Sequence, residues 1–236
     1  MKILSVSSLV IPEVKVVRFG RFADHRGYFT EHFRHGDFQT HPALAFLRDV
    51  QFVQCNESLS RPGTLRGLHF QWNPYVGKLV RAVAGRLVDL VLDIRLGSPT
   101  LGKILAYDLP AAPERSFADW IWVPPGFAHG TLFPAGPELS VIEYFCTGQY
   151  NPACEASISP LAPDIDWSLC VPALQREFAA VVAAGPLITD KDRGGFTVAG
   201  WVDDPRSEEF RVSAGASSAG LLRSGSGGGA LQQAGG

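Results

Sequence analysis

The sequence lacks the features that define several functional classes. Its 236 residues carry 21 Lys and Arg against 23 Asp and Glu, a net charge of −2. It therefore has no basic excess for binding nucleic acid or anionic membranes. No segment approaches the roughly 18 consecutive apolar residues of a membrane span. The apolar run from Ile3 to Ile11 imitates a signal-peptide core, but only Lys2 precedes it and Pro12 interrupts it. We expect a cytoplasmic protein with no nucleic-acid or membrane partner.

Cysteine is also scarce. The four cysteines form no C-x-x-C pair and have irregular spacing. A chain of 25.5 kDa can bury a core of its own without a disulfide framework. We expect reduced and mostly buried thiols at Cys55, Cys146, Cys154 and Cys170.

Glycine and proline, in contrast, are abundant, with 25 and 17 residues, and they separate short apolar runs. Runs rich in Val, Ile, Phe and Tyr, and too short for helices, predict strands. They are Val14–Phe19, Tyr28–Phe33, Phe52–Ser58, Lys78–Ala84, Arg86–Ile94, Gly102–Leu109, Trp120–Val123, His129–Phe133 and Leu139–Cys146. Gly85 predicts a tight turn between two of them. Many short strands of this kind are typical of an all-β sandwich or barrel, a jelly roll included.

Helical patterns are few. A modest candidate lies around Ala43–Leu47, and a clearer one over Ala173–Ala184 begins after Pro172 and ends before Gly185. In the second, Leu174, Phe178, Val181 and Val182 recur at helical spacing, which predicts an apolar face packed on the sheet.

Six histidines can be weighed one by one. Four lie among charged and loop-like residues and are expected to be solvated: His25, His32, His35 and His41. His69 lies in a strand-like segment where alternation puts it on one face with Gln71. His129 ends the stretch Pro124–His129, which follows the pattern P-x-G-x-x-H and resembles the second motif of cupin β-barrels.

Metal chemistry is disfavoured by the same comparison. Metal-binding cupins take two histidines and a glutamate from their first motif, whereas the matching region here offers only His69, followed by Phe70 and Gln71. One histidine from each region does not complete a site of three or four ligands. A metal-dependent oxygenase is the weakest hypothesis, and acid–base chemistry is favoured.

Lys78 and Tyr144 are candidates for such chemistry, but periodicity alone does not favour them. On periodicity alone, Lys78 is better explained as part of a solvated strand face. Tyr144 is better explained, on the same ground, as an aromatic side chain packed on its strand. Asp192 reads as part of a solvated acidic run with Asp190.

A series of ordered motifs goes further than periodicity. They are Asp24–Glu31, Phe52–Ser58, Arg66–Gln71, Gly77–Arg81, Asp93–Arg95 with Ser98–Thr100, and Pro125–Gly130. Together they resemble the dTDP-4-dehydrorhamnose 3,5-epimerase family, the RmlC-like enzymes of rhamnose biosynthesis. The resemblance implies a cupin-like jelly-roll barrel with a few short helices, a homodimer, and cofactor-free epimerisation at C3 and C5 of a dTDP-linked 4-keto-6-deoxy sugar.

The resemblance also implies residue roles. His69 corresponds to the base that removes a proton beside the C4 ketone, Lys78 to the cation that stabilises the enolate oxygen, and Tyr144 to the returning acid. Asp192 corresponds to the carboxylate that orients the base. The implied substrate contacts are Gln54, Asn56, Arg66, His129, Tyr150 and Glu155, with the partner subunit's Phe22, the partner's Arg26 and the partner's Glu31.

We divide the chain into an epimerase domain over residues 1–195, an extension over 196–212 and a flexible Gly/Ser/Ala-rich tail over 213–236. The extension could cover the barrel mouth or the dimer seam. Two functional alternatives stay open: a mono-epimerase acting at C3 or C5 only, and a non-catalytic sugar-nucleotide binding protein.

Overall fold

A computed structural model of the chain describes residues 1–136 and 138–212. Its strands, in chain order, are β1 (Ile3–Ser8), β2 (Lys15–Gly20), β3 (Phe22–Asp24), β4 (Gly27–Phe29), β5 (Gln54–Ser60), β6 (Leu65–Gln71), β7 (Lys78–Ala84), β8 (Arg86–Asp93), β9 (Ile104–Pro110), β10 (Phe117–Val123), β11 (Phe127–Leu132), β12 (Ser140–Cys146) and β13 (Glu155–Ser157). The α-helices are α1 (His35–Thr40), α2 (Pro172–Ala183), α3 (Asp190–Arg193) and α4 (Val198–Val202). Three 3₁₀ helices cover Pro42–Leu47, Pro152–Cys154 and Pro205–Phe210.

Two antiparallel sheets face each other. One has six strands in the order β1-β2-β10-β7-β12-β5, and the other has five in the order β13-β6-β11-β8-β9. Strands β3 and β4 form a separate hairpin. The predicted all-β, cupin-like jelly roll with a few short helices is confirmed, although the two sheets are not closed into a continuous barrel.

Most predicted strands are confirmed to within a few residues. Gly85, with φ of +69°, lies where the chain crosses from the six-stranded to the five-stranded sheet, so it forms a corner between the sheets. Strand β1 is not among the predicted strands, because the apolar run from Ile3 to Ile11 resembles a signal-peptide core. It pairs along β2 at the edge of the six-stranded sheet.

The predicted strand Tyr28–Phe33 is wrong in its second half, because β4 ends at Phe29. The chain then crosses the outer face of the six-stranded sheet, where the His32 ring lies 5.5 Å from Phe19 and 5.3 Å from Trp120. The prediction that His32 is solvated is also wrong. Burial lowers the pKa of His32 to about 4, with a further contribution from the nearby Arg81 charge.

Alternation along the strands divides the apolar side chains into layers. On β8, Leu87 and Val91 point between the sheets, whereas Val88 and Leu90 point to the outer face of the five-stranded sheet. Helix α2 packs on this outer face through buried Val181, as its pattern predicted. A third apolar cluster lies on the outer face of the six-stranded sheet. The space between the sheets is thus apolar at one end, and the other end is left to polar residues.

Two further findings bear on function. None of the helices within residues 1–136 and 138–212 is long and apolar enough to cross a membrane. The four cysteines form no disulfide; Cys146 and Cys170 are buried, whereas Cys55 is exposed. The tail predicted over 213–236 lies outside the described residues.

Candidate active site

The polar end of the space between the sheets holds a cavity of about 150 Å³. Three predicted catalytic residues line it: His69, Lys78 and Tyr144. So do five predicted substrate contacts: Gln54, Asn56, His129, Tyr150 and Glu155. Tyr150 lies in the loop after β12, and the other side chains come from strands of both sheets. The strands bring them together because each one turns every second residue toward the other sheet.

His69 lies on β6 with a carboxylate behind it. Its Nε2 is 2.7 Å from Oδ1 of Asp192, which is itself buried. Asp192 lies on α3, whose start is capped by the Thr189 side chain, and the Gly67 backbone N–H donates to the other carboxylate oxygen. Burial by itself would raise the pKa of Asp192, but the bonds from His69 and Gly67 hold that pKa below its usual value. A charged Asp192 therefore accepts from Nε2, which leaves Nδ1 to take up a proton.

Lys78 and Tyr144 stand on the opposite wall, on the neighbouring strands β7 and β12. Cys146 pairs with Lys78, and Tyr144 pairs with Val80, so the two polar side chains project from adjacent positions. Burial lowers the pKa of Lys78, and burial raises the pKa of Tyr144. Both shifts favour the uncharged form of the group.

A second histidine–carboxylate pair lies beside the first. Nε2 of His129 is 2.8 Å from Oδ2 of Asp89, a fully buried carboxylate on β8. Burial lowers the pKa of His129 against the opposing effect of Asp89. Asp89 is not predicted as a site residue from the sequence. Its one signal there is that it is a lone charged residue in the apolar run Leu87–Leu92.

The mouth of the cavity carries a chain of polar contacts. The Tyr150 hydroxyl donates to Oε2 of Glu155 over 3.1 Å, and the Lys191 ammonium donates to the same oxygen over 2.5 Å. The backbone N–H of Tyr150 donates to Gln54, whose side-chain amide donates to Asn56. Lys191 precedes Asp192 in sequence and was not predicted as a site residue.

Gln71, noted in the sequence only for its face, braces this mouth. Its side-chain amide donates to the backbone carbonyls of Pro74 and Gln149, and its oxygen accepts from the Asn151 backbone.

Four other predicted contacts do not line this cavity. Arg66 donates to Ser60 and to the Leu59 carbonyl, although its charge is close enough to influence Tyr144. Phe22 and Arg26 are exposed on the β3–β4 hairpin. Glu31 pairs with the N-terminal ammonium at 2.8 Å. The last three were predicted to serve a partner's site.

Known proteins are similar to this chain over most of its length. A family model described as dTDP-4-dehydrorhamnose 3,5-epimerase matches residues 8–199. The chain belongs to this family. A dTDP-4-dehydrorhamnose 3,5-epimerase from Sinorhizobium fredii is 46% identical over 146 residues, which cover 61% of this chain and 69% of the relative.

Two solved structures, one of a 3,5-epimerase and one of a 3'-monoepimerase, are similar to this chain in sequence and fold. RmlC from Legionella pneumophila, in complex with dTDP-4-keto-L-rhamnose, is 31% identical with a TM-score of 0.68, covering 86% of this chain and 96% of that one. ChmJ, a 3'-monoepimerase from Streptomyces bikiniensis in complex with dTDP-quinovose, is 28% identical with a TM-score of 0.65, covering 82% and 87%.

The family match ends before the described chain does. Residues 200–212 lie beyond the matched segment.

The part of the chain that the structure describes contains no cluster of three or more His, Cys, Asp or Glu side chains suited to a metal ion.

Proposed function

We propose that this chain epimerises C3 and C5 of dTDP-4-dehydro-6-deoxyglucose to give dTDP-4-dehydrorhamnose, with His69 as the base and Tyr144 as the acid. Membership of the 3,5-epimerase family supports the reaction. The assignment of roles rests on one observation. His69, oriented by Asp192, faces Tyr144 and Lys78 across the cavity between the two sheets.

The chemistry requires a base first. C3 and C5 both neighbour the C4 ketone, so loss of a proton from either carbon leaves an electron pair that delocalises onto the ketone oxygen as an enolate. Nδ1 of His69 accepts this proton, and the negative charge of Asp192 stabilises the imidazolium that forms. The partner carboxylate also holds the ring at a fixed orientation.

Lys78 stabilises the enolate oxygen. Its ammonium forms no hydrogen bond with the described residues, so all three of its N–H donors are available to a substrate oxygen. In a cavity partly shielded from water, such a preorganised charge lowers the free energy of the enolate more than it would in solvent.

Tyr144 returns a proton to the carbon from the other side. Because His69 belongs to the five-stranded sheet and Tyr144 to the six-stranded one, a sugar ring between them meets base and acid on opposite faces. The phenol O–H breaks as the new C–H bond forms, which inverts the carbon. The phenolate then regains a proton from solvent, and the His69 imidazolium releases to solvent the proton that it took from the sugar. Burial keeps the phenol protonated before this step.

The substrate lies with its nucleotide toward the mouth, where Tyr150 offers an aromatic surface for the base.

The exposed aromatic side chains of the β3–β4 hairpin, Phe22 at 53% and Phe29 at 66%, are suited to contact with a second copy. We assign the active form to a homodimer in which that hairpin reaches the partner's cavity. Four thiols without a disulfide suit the reducing cytoplasm.

Proton NMR of the chain with dTDP-4-keto-6-deoxyglucose in deuterium oxide tests the reaction. Deuterium at both C3 and C5, with the rhamnose-configured product, is the expected outcome. Deuterium at one carbon only makes the chain a mono-epimerase, as ChmJ is described. A chain that binds the nucleotide sugar and exchanges nothing is a binding protein, and the proposed function is then wrong.

A further inference from the structure

The segment 200–212, which lies beyond the matched family region, packs behind the strand that carries His69. Trp201 and Phe210 are both fully buried. Their rings lie 4.6 Å and 5.4 Å from the ring of Phe70, the residue directly after His69, and 5.6 Å from each other. Aromatic contacts at these separations hold the three rings in one arrangement.

The same segment holds the loop between β6 and β7. The Tyr75 hydroxyl donates to the backbone carbonyl of Glu209 over 2.7 Å and lies 3.1 Å from the Glu209 carboxylate. Its ring meets Phe210 edge-on at 5.5 Å. Val76, the next residue, lines the cavity, and Lys78 follows two positions later.

The segment is anchored to the body of the domain at a third place. The Trp201 indole N–H donates to the carbonyl of Ile94, and the backbone N–H of Val212 donates to the carbonyl of Leu96. Both acceptors follow β8 at the end of the five-stranded sheet. The segment therefore joins the residues that follow β8 to the stretch between His69 and Lys78.

We infer that residues 200–212 position the base and the oxyanion cation relative to each other. The stretch from His69 to Lys78 crosses from one sheet to the other, and the segment holds it near both ends, through Phe70 and through Tyr75. No residue of the segment lines the cavity within the described chain. Trp201, Phe210 and Tyr75 are positioning residues, and this inference rests on the proposed function of His69 and Lys78.

Phe210→Ala and Tyr75→Phe test the inference, with Arg211→Ala as the matched control. Arg211 is an exposed neighbour of Phe210 whose side chain, within the described residues, hydrogen-bonds to Glu208. Because misplacement of a catalytic group by about 1 Å costs about a hundredfold, we expect Phe210→Ala to lower kcat about tenfold to a hundredfold. KM should change less than about twofold, since the lost interaction acts only on the chemical step.

Tyr75→Phe keeps the ring and removes only the bonds to Glu209, so it folds even if Phe210→Ala does not. We expect it to lower kcat about threefold, the equivalent of one neutral hydrogen bond. Phe210→Leu, which refills most of the volume, should restore much of the kcat lost in Phe210→Ala. Urea unfolding of each variant, measured at the assay temperature, establishes whether the variant is folded under the conditions of the assay.

The outcomes separate this inference from the proposed function. If the wild-type chain exchanges no deuterium at C3 or C5, the proposed function is wrong and the inference with it. If the wild type is active and both variants keep its kcat while only their urea midpoints fall, the segment is structural and the inference alone is overturned. Loss of kcat in Arg211→Ala equal to that in Phe210→Ala overturns it as well.

Discussion

His69 and His129 lie directly opposite each other on the neighbouring strands β6 and β11. Each ring uses Nε2 to contact a buried carboxylate, Asp192 for His69 and Asp89 for His129. The two carboxylates approach from different elements, α3 and β8. The cavity wall formed by the five-stranded sheet therefore carries two neighbouring imidazoles, each hydrogen-bonded to a buried carboxylate. In our proposal the base is the one that faces Tyr144.

Removal of the base should abolish proton exchange. We expect His69→Ala to reduce deuterium incorporation at both C3 and C5 by about 10²- to 10⁴-fold, the usual contribution of a general base. Proton NMR in deuterium oxide measures both positions in one sample. His35→Ala, at an exposed position on α1, is the control and should keep the wild-type rate. Exchange that persists in His69→Ala would remove His69 from the mechanism.

Removal of the acid should separate exchange from inversion. Tyr144→Phe retains His69, so the proton at C3 or C5 is still removed and deuterium still enters from solvent. Inverted product should fall by about 10²-fold or more, because no donor remains on the opposite face. Tyr107→Phe, on β9 away from the cavity lining, is the matched control. Equal losses of exchange and product in Tyr144→Phe would contradict the assignment.

The loss of activity at high pH should follow Lys78 and not Tyr144. Burial lowers the pKa of Lys78 below its ordinary value of about 10.4, so the ammonium is lost, and kcat/KM falls, as the pH rises through that lowered pKa. Burial raises the pKa of Tyr144, so the phenol stays protonated over the same range. Lys78→Arg should move the alkaline fall in kcat/KM upward, because guanidinium stays charged. An unmoved profile would assign the fall to another group.

The buried ion pair after β8 should matter for stability. Arg95 donates to both carboxylate oxygens of Asp93, at 2.9 and 2.7 Å, and also to Glu13. Because Asp93 is fully buried, Arg95→Ala should lower the free energy of unfolding by about 3–5 kcal/mol. Arg211→Ala breaks an exposed pair with Glu208 and should lower the free energy of unfolding far less, because water screens such a pair. Urea unfolding measures both, and equal costs would show that burial does not decide the difference.

Hybrid dimers should test whether a site takes Arg26 from its partner. His69→Ala and Arg26→Ala should each be nearly inactive alone. In a hybrid of the two, the site with an intact His69 meets an intact Arg26 from the other chain. Random pairing makes about half of the dimers hybrid, each with one complete site, so a refolded mixture should regain about a quarter of wild-type activity. A mixture that stays inactive would show that each site uses its own Arg26, whereas an Arg26→Ala variant that is active alone would show that no site needs Arg26.

Much of the fold could be predicted from local pattern. Strand β7 has the predicted bounds Lys78–Ala84, and α2 lies one residue from its predicted span. These elements could be predicted because the period of the hydrophobic residues and the positions of turn residues are local properties of the chain. The strand over Tyr28–Phe33 was misplaced where His32 packs between aromatic rings, a contact that depends on residues far along the sequence.

The sequence by itself determined which residues share a strand face, and hence that His69 and Gln71 turn the same way into the cavity. The ordered motifs supplied the family and the candidate roles. Only the tertiary structure decided which groups meet. Asp192 reaches His69 across 123 residues, Asp89 reaches His129 across 40, and Phe210 reaches Phe70 from beyond the family match. Spacing along a chain does not encode such contacts, because they depend on how two sheets and a returning C-terminal segment pack together.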